Sequence, residues 1–130
     1  MTDAEFLAAF ENVTLSYAQW THEAHVRMAF LYLRREDFEN ALPWVRERIG
    51  CYNRARGNPN GYNETITVAF LRVVADRLAQ HEIAPDFETF KATHPELLDS
   101  RLLMRHYSKP VLLAEDAKAR FVEPDREPLP

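Results

Sequence analysis

Only three glycines occur in this chain, all between Gly50 and Gly61, and no segment alternates apolar and polar residues as a half-buried strand does. Apolar residues recur instead at i, i+3 and i+4. That spacing predicts an all-α fold: a four-helix core with additional short helices and an extended C-terminal tail. At 130 residues the chain fits one domain, residues 1–130, with 121–130 as a tail docked on the body.

The first predicted helix opens on Thr2-Asp3-Ala4-Glu5, a capping box, and carries Phe6, Leu7 and Phe10. The second runs from about Ala18 or Thr21 to about Arg35. Ala24, Met28, Ala29, Leu31, Tyr32 and Leu33 cover most of its circumference, so it is expected to be the central helix. The third spans Asp37 to Arg54, with Phe38, Ala41, Leu42, Val45, Ile49 and Tyr52 on one face and Pro43 near its first turns. The stretch ARGNPNGY is the clearest loop. A fourth helix follows over Asn63 to Gln80, with Ile66, Phe70, Val73, Val74 and Leu78 as its stripe. Beyond it, Asp86 caps a brief helix, Leu97 to Tyr107 reads as helical, and Glu115 to Phe121 as a last helical piece.

Charge and cysteine usage narrow the function classes. The net charge of −4 argues against a general nucleic-acid binder, which normally carries a basic surface. Cys51 is the one cysteine, so no internal disulfide forms and a reducing, cytoplasmic setting is the simplest expectation. The opening MTDAEFLAAF has neither the basic start nor the apolar core of a signal peptide. No apolar run reaches membrane-spanning length, so no membrane partner is expected.

The stretch Trp20-Thr21-His22-Glu23-Ala24-His25 carries the most chemistry. Residues three apart on a helix share a face, so His22 and His25 point the same way, with Ala29 and Tyr32 continuing the stripe. The second histidine comes one residue too early for the zinc-protease helix. In an up-down-up-down bundle the starts of the second and fourth helices share an end, which brings Glu64 toward the two histidines with Tyr62 and Asn63 beside it. His22, His25 and Glu64 are then candidate ligands for a divalent transition metal. Without a metal, His22, His25, Glu64 and Tyr62 are candidates for proton-transfer chemistry, since a histidine is a base near neutral pH. Trp20, Arg101, His106 and Tyr107 are candidate substrate contacts, the arginine for an anionic group and the aromatics as walls.

The motifs Trp20-Thr21-His22-x-x-His25, Tyr62-x-Glu64-Thr65 and the C-terminal Glu123-Pro124-Asp125-x-x-Pro128-Leu129-Pro130 resemble those of a small bacterial family of uncharacterised all-helical proteins. The resemblance runs over nearly the whole chain. Family members more often carry histidine where Asn63 stands here, which weakens a metal reading for this chain. The resemblance implies that the tail belongs to the domain and implies no activity.

Two function classes follow. One is a small cytosolic enzyme or small-molecule-binding protein with a His/Glu polar site at one end of the bundle. The other is a non-catalytic interaction module, working as a homo-oligomer or an adaptor, which predicts a large exposed apolar patch.

Overall fold

A computed structural model describes all residues, 1–130. It is all-helical, with no strand. The chain packs as two compact units, Met1–Tyr62 and Asn63–Pro130.

The first unit holds α1 (Asp3–Glu11), a 3-10 turn (Tyr17–Gln19), α2 (His22–Arg35) and α3 (Phe38–Ala55). Each start is capped by a side chain. Thr2 and Glu5 form the capping box on α1, Thr21 accepts from Ala24 N–H on α2, and Asp37 accepts from Asn40 N–H on α3. Pro43 sits inside α3 without ending it. The helix α2 is apolar almost all round, burying Ala24, Val26 and every residue from Met28 to Leu33. It packs against α3, which packs in turn against α1.

The helices α1 and α3 end in the same way. After α3, Gly57 takes φ +75, its N–H reaches the carbonyl of Arg54 at 3.2 Å, and Asn58 N–H reaches that of Asn53 at 2.8 Å. This is the Schellman pattern, which wants glycine at that position. After α1 the same two bonds run from Val13 to Phe10 at 3.1 Å and from Thr14 to Ala9 at 2.8 Å. Here the left-handed residue is Val13, at φ 55. A β-branched residue there is strained. Arg56 holds the strained turn by donating from Nη2 to the Val13 carbonyl, which ties the end of α1 to the end of α3.

The second unit holds α4 (Glu64–Ala79), α5 (Phe87–Thr93), 3-10 turns at Pro95–Leu98 and Leu102–Arg105, α6 (Lys109–Leu112) and α7 (Glu115–Ala119). The expected helix over Leu97 to Tyr107 is two 3-10 turns instead. Asp99 interrupts it by accepting from the backbone N–H of Arg101 at 2.9 Å, a local bond that competes with helix continuation. Pro110 opens α6, because proline in a first turn costs no hydrogen bond. The buried face of α4 is wider than the stripe read from sequence. Thr65, Thr67, Val68, Ala69 and Leu71 join Val73 and Val74, while Ile66, Phe70 and Leu78 are half-buried.

The last residues lie along the body of the second unit. Tyr107 donates its hydroxyl to the Val122 carbonyl at 2.6 Å. Asp125 accepts from Ser108 N–H at 2.8 Å. The Arg72 guanidinium reaches the Pro130 backbone oxygen at 2.9 Å.

The two helix ends make opposite predictions. Val13→Gly relieves the left-handed strain and raises stability by about 1 kcal/mol, less the backbone entropy that glycine adds to the unfolded chain. Gly57→Ala lowers it by about 1 kcal/mol. Urea unfolding of the two variants against the parent checks both signs.

Candidate functional site

Thr21 ends the turn before α2 and places His22 and His25 on the first turns of that helix. The Nδ1 of His25 lies 2.7 Å from the Thr21 carbonyl. A carbonyl only accepts, so Nδ1 carries the proton and Nε2 keeps a lone pair. The His25 ring lies against the Trp20 indole, centroids 3.9 Å apart. Trp20 in turn stacks on Phe10 at 4.7 Å and touches Tyr52 at 5.2 Å. Tyr52 is fully buried and donates its hydroxyl to the Leu15 carbonyl at 2.8 Å. Burial holds His25 below the ordinary histidine range, and His22 nearby adds to the effect against the opposing Thr21 bond. The imidazole is therefore neutral at neutral pH and serves as one ring of an aromatic cluster. His22 is half-buried at the first position of α2, and Tyr62 is half-buried at the end of the first unit.

The turn between α2 and α3 forms a second feature of the same unit. A cleft of about 360 Å³ opens there, lined by Tyr32, Arg35, Glu36, Asn40, Ala41 and Trp44. Tyr32 is buried and donates its hydroxyl to Glu11 at 2.8 Å. Burial, then the Glu11 carboxylate, push its pKa up, so the phenol stays protonated. Trp44 is 41% exposed. The Arg48 guanidinium lies 4.1 Å over its ring, and the Arg48 Nε is buried with no hydrogen-bond partner. Charge, amide and aromatic surface thus meet in one concavity.

The other residues singled out from sequence fall in the second unit. Glu64 is half-buried at the first position of α4. Its neighbours hold the unit together. Asn63 caps α4 by accepting from Ile66 N–H at 2.9 Å, and its Nδ2 donates to the Leu112 carbonyl at 2.9 Å. Thr65 donates to the Arg120 carbonyl at 2.9 Å and accepts from Val122 N–H at 3.1 Å. His106 is buried, with Nδ1 2.9 Å from the Glu127 carbonyl. Tyr107 is fully buried, and burial, then Glu123, push its phenol up to about 12. His106 and Tyr107 therefore serve as anchors for the tail. Arg101 is exposed and pairs with Asp99 at 3.3 Å.

No group of three or more His, Cys, Asp or Glu side chains is placed to hold a metal ion. The structure thus adds no support to the ligand set His22, His25 and Glu64. Arg35, Glu36, Asn40 and Trp44 are absent from the sequence-derived candidates. Trp44 is the residue that could have pointed to the cleft, as a large aromatic beside the apolar face of α3. No family model, curated protein or solved structure matches this chain.

Two predictions test these roles. His25 has a folded pKa below its unfolded value of about 6.5. Its contribution to stability is complete above that pH and is lost as pH falls toward the folded value. Ring NMR is expected to give a His25 midpoint below about 6.5, and Trp20→Ala to move it back toward that value by admitting water. Separately, Asn63→Ala removes a cap and a buried bond, and lowers stability by about 2 kcal/mol. Asn63→Asp keeps the cap alone and cannot donate to the Leu112 carbonyl, so it fails to restore the parent value in urea unfolding.

Proposed function

We propose that this protein is a small-molecule-binding protein whose ligand seats in the α2–α3 cleft. The observation that carries this reading is the cleft itself. Its volume of about 360 Å³ falls in the range of small-ligand sites, and its lining mixes aromatic surface with a few polar groups. Trp44 is 41% exposed, Asn40 offers an amide, and Arg35 an exposed guanidinium. Arg48, over the Trp44 ring, brings a second cation without a carboxylate partner. Those groups suit a small planar molecule bearing a carboxylate or similar anion, with the ring against Trp44 and the anion on Arg35. Glu36 disfavours a second anionic group on the same ligand.

A second reading for this chain is an enzyme built on the histidines of α2, for which His25 offers a neutral imidazole with Nε2 able to accept a proton. The same ring is half of the Trp20 stack, so a structural role accounts for it without catalysis.

The two tryptophans allow a direct test. A panel of small aromatic carboxylates, with aromatic amines as controls, is titrated while the indole N–H signals of Trp20 and Trp44 are followed by NMR. The expected result is a saturable shift of the Trp44 signal with the carboxylates alone, abolished in Arg35→Ala. No saturable Trp44 shift at millimolar concentration across the panel, or one unchanged in Arg35→Ala, overturns the reading.

A further inference from the structure

In the second unit, two histidines thirteen residues apart in sequence meet ring to ring. The Nε2 of His81 lies 2.8 Å from the Nε2 of His94. His81 follows the last turn of α4, and His94 ends α5 and begins the 3-10 turn Pro95–Leu98. The ring centroids are 5.0 Å apart with planes at 79°. With the nitrogens that close and the centroids that far, both nitrogens lie between the rings and point at each other. Head-on approach is the geometry of an N–H···N hydrogen bond, in which one Nε2 donates and the other accepts. Two ligands of one metal would aim their lone pairs at a third point instead, and no group of three His, Cys, Asp or Glu side chains is placed to hold a metal there.

We propose that His81 and His94 form a proton-operated clasp: one shared imidazole proton holds the turn at residue 94 against the end of α4 at neutral pH, and acidification releases it. The bond needs exactly one Nε2 proton between the two rings. When both rings are protonated, N–H faces N–H, no acceptor remains, and two positive charges meet. The rings differ in their freedom to escape. His94 is 6% exposed and packs on Phe90 at 5.0 Å, so it reaches water only if its turn moves. His81 is half-buried and lies at a helix end.

The charges around the pair come from three elements. From α4, Arg77 pairs with Asp76 at 2.6 Å and lies 3.8 Å from Glu96. From the 3-10 turn, the Glu96 carboxylate lies 4.0 Å from the His94 Nδ1. On α5, Lys91 is taken up by Glu88 at 3.1 Å. Glu96 and Asp76 favour a charged His94, whereas burial, His81 and Arg77 oppose it, and the balance lies below the ordinary histidine range. The sign follows. The clasp's contribution is complete above the unfolded pKa of about 6.5 and declines as pH falls toward the folded value. The element released is α5 with its turn, which Phe87, Phe90 and Leu97 otherwise hold by burial.

Amide hydrogen exchange on the full chain between about pH 7.5 and pH 5 tests the clasp. Protection factors, corrected for intrinsic rates, are read at the Phe90 and His94 amides, which bond to Asp86 and Phe90 carbonyls. Below about pH 6.5 they are expected to fall by up to tenfold per pH unit, the slope of one proton, while Val73 and Val74 in α4 keep theirs. A glutamine at either position pairs with a histidine in either charge state. In His94→Gln the fall is expected to vanish, with His81→Gln as the second variant if the buried one does not fold. Flat protection in the parent, or an undiminished fall in the folded glutamine variant, overturns the proposal.

Discussion

Burial of most of α2 is the constraint on which the first unit depends. From Met28 to Leu33 every residue is buried, so that stretch has no solvated face. A polar group on such a helix must find a partner or sit at an end. Tyr32, within the buried stretch, bonds Glu11. Arg27 reaches Asp3 at 2.9 Å and lays its guanidinium 4.8 Å from the Phe6 ring centre. His25 spends its Nδ1 proton on the first turn and its ring face on Trp20. The cleft opens where the buried stretch ends, at the α2–α3 turn, because there Arg35, Glu36 and Asn40 need not be covered.

The second unit depends more on polar pins than on length of helix. Its elements after α4 are short, and a short helix has little stability of its own. Asn63 and Thr65 at the start of α4, and His106 and Tyr107 beyond it, each tie a later segment to the body by a buried or part-buried hydrogen bond. These bonds draw α6, α7 and the last ten residues onto the body around α4. The motif residues Tyr62-Asn63-Glu64-Thr65 thus include two structural fasteners whose importance is independent of any bound ligand.

Two histidines, one in each unit, are held below the ordinary histidine range chiefly by burial, and each has a second imidazole nearby. His22 lies near His25, and His81 meets His94. Both arrangements make the folded state less tolerant of acid than its net charge alone implies, since the unfolded chain takes up protons that the folded one refuses. His25 and His94 differ in what holds them. The former is bonded to its own helix and stacked on a tryptophan, so its protonation acts on local packing. The latter bridges separate elements, so its protonation acts on their attachment.

The helical class, the caps at Thr2 and Asp86, and the apolar character of α2 were legible in the residues themselves, because capping and helical periodicity are local and repeat within a few positions. The Leu97–Tyr107 segment misled because its apolar spacing suits a helix while Asp99 offers the backbone a local alternative that spacing does not register. Which polar residues meet was decided by tertiary structure alone. Nothing local brings His81 to His94 across thirteen residues, or gathers Arg35, Asn40 and Trp44 from two helices around one concavity. Such meetings depend on how helices pack and where turns deliver their ends, and the physical terms that set them act between residues distant in the chain.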